Sequence, residues 1–331
     1  MIHIKSSRLF PTITGFSAIP LQYSPGPSYE YTFLQFPESQ TPAILNFDVV
    51  IVGSGLGGGI SAKNLAEAGF SVLVVDKAYH YPSSQLPMTE AAGLIHLFEN
   101  GGVIPSEDSS VNVLTGSNFG GGGTVNWSAA LQPQGFVRKE WAEDRHLPLF
   151  TSATFQDALD RVCERMGVSD KHIRHNHGNR ILLEGARRMG HTAKAVPQNT
   201  AGKEHYCGHC IMGCASCEKQ GPSVCWLPDA ARAGAQFIEG LSVEKVLMNG
   251  KKAVGVKGLW TSRAGDKCQV IVKAKRVIVS AGSIHSPHLL MNSGIKVRSQ
   301  APTPFHCFFV SALTKTLSRT TKLAAIFTCT P

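Results

Sequence analysis

Gly53-Ser54-Gly55-Leu56-Gly57-Gly58 sets glycines in a G-x-G-x-x-G spacing. Such a run lets main-chain N–H groups approach a pyrophosphate at the start of a helix, where the dipole favours negative charge. Gly53 would make the tight turn, and Gly55 would admit the phosphates. Gly58 would let helix and strand pack closely, with Gly57 in the same turn. Asp76, 23 residues beyond Gly53, supplies a carboxylate for ribose hydroxyls. The motif does not by itself separate FAD from NAD.

A second dense signal is Gly120-Gly121-Gly122-Gly123-Thr124-Val125-Asn126-Trp127-Ser128. Four glycines bare N–H groups that could bond a phosphate or the edge of a flavin ring. On composition alone, a flexible loop serves equally well. A third cluster is Cys207, Cys210, Cys214 and Cys217. Four thiolates can hold zinc or an iron–sulfur cluster, but the spacing is tighter than paired zinc ligands across a longer loop. The preferred reading is a structural, redox-inert loop with no metal.

These groups need elements to hold them. Residues 48–52 form a β-branched run ending in glycine, which reads as a buried parallel strand. A helix over 60–68, stopped by Gly69, and a second strand over 71–75 complete a βαβ opening. Further helices are expected at 152–166, capped by Ser152 or Thr154, and at 176–189. The Asn249-Gly250 pair predicts a hairpin, with 270–272 and 277–280 completing a meander. The expected fold class is α/β: a Rossmann-like βαβ domain with an added β-meander and helices.

Three stretches in order resemble the glucose-methanol-choline (GMC) oxidoreductases, FAD enzymes that oxidise alcohols, and within them the plant long-chain fatty alcohol oxidases. They are the βαβ over 47–76, the loop over 116–128, and the run over 281–295, which reads AGSIHSPHLLMNSGI. Segments 141–144, 162–165 and 206–226 also look like that branch. The resemblance implies an FAD-binding domain over 47–295 and a role for each matching position. Gly53, Gly55, Gly57 and Gly58 would hold the pyrophosphate, and Asp76 the ribose. Gly122, Thr124, Asn126 and Trp127 would face the isoalloxazine, and the backbone of Val243 would read adenine. Ala281 and Gly282 would leave room for the cofactor. Asp76 departs from the family's more usual Glu. The match is read to stop at Ile295, where Lys296 replaces the expected continuation.

The implied reaction is oxidation of long-chain primary alcohols to aldehydes, with O2 as acceptor and H2O2 as product. The family's catalytic His and its partner lie on a later strand. None of the thirteen histidines is assigned that role, and His285 and His288 read as helix-start polar contacts. The substrate domain is therefore expected to be largely missing, and the chain alone to have little oxidase activity. Residues 1–46 read as a disordered lead-in, and 296–331 as an unmatched basic tail.

Composition bounds the alternatives. Nine bases beyond Asp266, the last acid, account for the whole net charge of +9. Scattered tail charges give no basic face, so nucleic acid is not expected as a partner. Nine cysteines, odd in number and clustered, do not read as a secreted disulfide framework, and an intracellular, reducing compartment is expected. No run reaches the ~18 apolar residues of a membrane span, although the resemblance implies membrane association for full-length members.

Overall fold

The computed structural model describes residues 25–205 and 208–295. The tail at 296–331, the first 24 residues of the expected lead-in, and Cys207 lie outside the described residues.

The centre is a six-stranded sheet built from β1 (Ser39–Val52), β2 (Val72–Val75), β7 (Gln236–Ile238), β8 (Leu241–Asn249), β9 (Lys252–Thr261) and β10 (Lys267–Val279). Its order is β7-β2-β1-β10-β9-β8. β7, β2, β1 and β10 run parallel, with Val50 opposite Leu73 on one side and Val277 on the other. β10-β9 and β9-β8 are antiparallel. A parallel sheet is buried on both faces, which is why 49–52 and 72–75 are continuous apolar runs. Each such side chain contributes roughly 1.5–3 kcal/mol on burial.

Alternate residues build two cores. Val50, Val52, Leu73 and Val75 pack with Trp260, Val270 and Leu289 on the face covered by the meander. Val49, Ile51, Val72 and Val74 pack with Ala62 and Leu65 of α1 (Leu56–Glu67) and Leu227 of α7 (Trp226–Arg232). Between β2 and α7 the chain forms α2 (Glu90–Leu97), the hairpin β3 (Phe98–Pro105) with β4 (Asn112–Gly116), α3 (Gly122–Val125) and α4 (Gly135–Glu143). It continues through α5 (Ala153–Arg165), the short pair β5 (Val168–Ser169) with β6 (Gln198–Asn199), and α6 (His177–Arg188). Ser152 caps α5 by accepting from the Phe155 N–H, and Asn176 caps α6 in the same way. α8 (Gly282–Asn292) follows β10.

Two expectations need correction. The domain does not begin at Phe47. β1 starts at Ser39, and the segment before it is built in: Tyr31 and Phe33 pack edge-on against Phe119, and Phe36 against Trp260. The Pro- and Ser-rich composition of 25–46 hid aromatics at a two-residue spacing, and these side chains fill the core across β7. Nor are 270–272 and 277–280 separate strands. They belong to one thirteen-residue strand, β10, which pairs with β9 over its first half and with β1 along most of its length. The charged Lys273, Lys275 and Arg276 interrupt the apolar pattern but not the ladder, and Ala274 between them stays buried in the core.

Candidate functional site

Parallel sheets place their binding crevice beyond the carboxyl ends of the strands. Here β1, β2 and β10 end at Val52, Val75 and Val279, next to one another. Gly53, at φ +100°, turns the chain out of β1, and a Cβ there would sit 2.3 Å from the Ser280 carbonyl oxygen. A Cβ at Gly58 would sit 1.8 Å from the carbonyl oxygen of Gly53, so only glycine lets α1 approach the turn this closely. Gly57 is crowded less rigidly, by the Ser280 hydroxyl 2.6 Å from where its Cβ would sit.

Three other glycines have the opposite character. Around Gly55, Gly122 and Gly282 a Cβ would meet nothing within 4 Å. Gly55 is the residue before α1, so its open side lies at a helix N-terminus. Gly122 opens α3, and Gly282, after Ala281, opens α8. The two glycine loops face each other: a Cβ on Gly121 would lie 3.2 Å from the Gly55 Cα. This strip of bare backbone, shaped by closed glycines and lined by open ones, is a cradle that side chains would fill. It fits an extended dinucleotide.

Ser54 ties the cradle together, although the glycine motif leaves that position unspecified. Its side chain is fully buried. Its Oγ donates to Asp76 Oδ2 at 2.5 Å and accepts from the Gly120 N–H at 2.9 Å. Asp76 also accepts from the N–H groups of Ser54 and Ala78. Burial raises the Asp76 carboxyl above its usual range, while the bonds from Ser54 and Ala78 pull the other way. Leu241 N–H donates to the Asp76 carbonyl, which sets the start of β8 beside Asp76, with half-buried Val243 two residues on.

On the second loop, Thr124 Oγ1 donates to the Phe119 carbonyl, and Asn126 Oδ1 accepts from the Ser128 N–H. Trp127 is 72% exposed, so among the described residues nothing covers the face it offers. Lys219 is a second site residue that sequence reasoning does not find. It is 2% exposed, and its Nζ donates to the carbonyls of Thr124 (2.6 Å), Asn126 (2.8 Å) and Cys210 (2.8 Å). One ammonium thus pins the second glycine loop to the cysteine loop. No spacing rule would flag a single lysine after a cysteine run.

A cavity of about 30 Å³ lies behind the loop, bordered by Gly123, Thr124, Lys219, Cys214 and Cys217. That is room for a water-sized molecule, not for a long-chain substrate. His285 sits at the start of α8 near Glu99 (3.3 Å) and Lys77 (3.4 Å), while His288 Nε2 faces Asn292 Nδ2. His285 thus makes a polar contact at the helix start, whereas His288 makes its contact at the far end of α8. Among the described residues, no three His, Cys, Asp or Glu side chains are set to hold a metal ion, and no helix is long and apolar enough to cross a membrane.

Comparison with known proteins identifies a family. The profile of the GMC oxidoreductases matches residues 94–315, running twenty residues past Ile295. Two long-chain-alcohol oxidases of Arabidopsis thaliana are 36% identical over 250 residues and 37% identical over 262, covering 75% and 76% of this chain. The alignments cover 34% and 35% of those proteins, so the chain spans about a third of the length of the curated relatives it matches. Among solved structures, pyridoxine 4-oxidase from Mesorbium loti shares the fold, with a TM-score of 0.51 at 16% identity, covering 75% of this chain and 52% of that one.

Proposed function

Because this chain belongs to the GMC oxidoreductases, we propose that it forms the FAD-binding part of an enzyme that oxidises long-chain primary alcohols to aldehydes, with O2 reduced to H2O2. The observation that carries this reading is the meeting of both glycine loops at the carboxyl ends of the parallel strands, with Gly55 against Gly121 and Ser54 joining Asp76 to Gly120. A nicotinamide enzyme would need the first loop but not the second.

The chemistry FAD supplies when bound is acceptance of a hydride from the alcohol carbon and its delivery onward to oxygen. This chain's residues bind and orient. The N-terminus of α1, open at Gly55, would take the pyrophosphate, and Asp76 would accept from a ribose hydroxyl. The N–H groups around Gly122, with Thr124 and Asn126, would line the ring side, held in place by Lys219. The substrate class rests on the relatives: the long-chain-alcohol oxidases align across 75–76% of this chain. No base for the alcohol proton is assigned among the described histidines.

The deciding experiment separates cofactor from turnover. The purified chain is expected to retain FAD, seen as visible flavin absorbance that survives gel filtration. A colourless chain that fails to hold added FAD would sink the proposal. Hydrogen peroxide release with a long-chain primary alcohol then tests whether this chain alone completes the reaction.

A further inference from the structure

The cysteine loop, read from its sequence as structural and redox-inert, has a geometry that reading does not explain. His205, with its side chain only 4% exposed, is held between an acid and a thiol. Its Nδ1 lies 2.8 Å from Glu218 Oε2, and its Nε2 lies 3.0 Å from Cys210 Sγ. Ser216 braces the same carboxylate from 3.0 Å, and its Oγ lies 3.4 Å from Cys214 Sγ. The Lys219 ammonium lies against the Cys210 carbonyl. Cys210 is partly exposed, whereas Cys214 is buried.

Burial alone would depress the His205 imidazole. Hydrogen bonds with Cys210, Cys214 and Glu218 more than reverse this and hold it at about 10. An imidazole kept protonated beside a thiol favours the thiolate, which is the nucleophilic form. Cys217, in the same loop, differs: burial first, then Cys214, pushes its thiol up.

We propose that Cys210 and Cys214, grouped around the His205–Glu218 pair, form a dithiol that reacts with hydroperoxides and closes to a disulfide. In the first step the Cys210 thiolate attacks the peroxide. An S–O bond forms, the O–O bond breaks, and the leaving hydroxide takes the proton of His205 to become water. In the second step the Cys214 sulfur attacks the sulfenic sulfur of Cys210. An S–S bond forms, and hydroxide leaves with the Cys214 proton as a second water. Overall, two thiols and one hydrogen peroxide give one disulfide and two waters, with sulfur oxidised and peroxide oxygen reduced. The small cavity behind the loop is lined by Cys214 and Cys217 and not by Cys210, so peroxide would reach the Cys210 thiol from its partly exposed side. The Lys219 bonds connect the Cys210 main chain to Thr124 and Asn126, so closure would bear directly on the second glycine loop.

The test adds hydrogen peroxide from outside, so it does not depend on the flavin reading. The purified chain, treated near pH 7 with a few equivalents of peroxide, is analysed by intact mass and peptide mapping. The expected result is loss of the mass of two hydrogens and a Cys210–Cys214 disulfide. Cys214→Ser should instead stop at a sulfenic acid on Cys210, captured by a 1,3-dione. His205→Gln should slow iodoacetamide alkylation of Cys210 on the order of tenfold at neutral pH, with thermal melting showing that the variant is folded. Thiols inert to peroxide, a disulfide formed with any other cysteine, or a stoichiometric metal held by these thiols in the purified chain would each overturn the proposal.

Discussion

Replacing Lys219 with Met keeps the length and apolar stem of the side chain and removes only its ammonium. That group donates to three carbonyls at 2.6–2.8 Å from a nearly fully buried position. Carbonyls left unsatisfied in the interior cost about 1–3 kcal/mol each. Against this, the variant no longer has to desolvate an ammonium, a penalty of several kcal/mol in a protein interior. The partners are neutral carbonyls, so no charge is stranded, and the net loss is the cost of three orphaned acceptors less the desolvation relieved. We therefore expect Lys219→Met to lose about 3 kcal/mol, which for a domain of this size is a drop of roughly 6–12 °C in Tm. The second glycine loop should loosen with it, so FAD retention falls more than global stability alone requires. Thermal melting of the apoprotein and a flavin titration below the melting range read the two effects separately. A variant melting within about 1 °C of the parent and binding FAD equally well would refute the reasoning, because the three bonds would then carry no net energy.

Gly55→Val tests the cradle without touching the core: φ is −62° and a Cβ meets nothing within 4 Å, so Tm should stay within about 2 °C while FAD binding is lost on titration. Ser54→Ala removes the link between Asp76 and Gly120, and should cost about 1–3 kcal/mol in chemical denaturation by leaving a buried N–H unpaired. Burial first, and then Arg263, lowers the His80 imidazole to about 4. Below about pH 6.5 the unfolded chain takes up a proton that the folded ring refuses, so stability should fall by up to about 3 kcal/mol between pH 6.5 and 4. His80→Phe should flatten that slope in denaturation curves measured across the same window.

What the sequence shows and what it hides divide along physical lines. The βαβ opening is legible because three constraints act locally: an apolar run, a glycine turn and a terminal carboxylate must follow one another for the unit to form. The helix cap at Ser152 is legible for the same reason, while Asn176, read as the first residue of its helix, proves to be its cap. Tyr31 and Phe33 are not, because their partners Phe119 and Phe237 lie far along the chain and nothing near residue 31 signals a core. The length of β10 is obscured by Lys273, Lys275 and Arg276, of which Lys275 is accommodated by reaching Asp48 at 2.7 Å.

The same division explains the site. Each glycine loop can be found by composition, but their meeting cannot, because it depends on Ser54, whose identity the spacing of the glycines does not dictate. A serine there serves two partners at once: it donates to a carboxylate that burial would otherwise push toward its neutral form, and it satisfies an N–H in the opposite loop. Lys219 does for the far side of that loop what Ser54 does for the near side. The backbone strip between them is therefore fixed from both ends by buried polar groups. Such groups must find partners on folding, so the cradle's shape is set as the chain folds rather than by the ligand it receives.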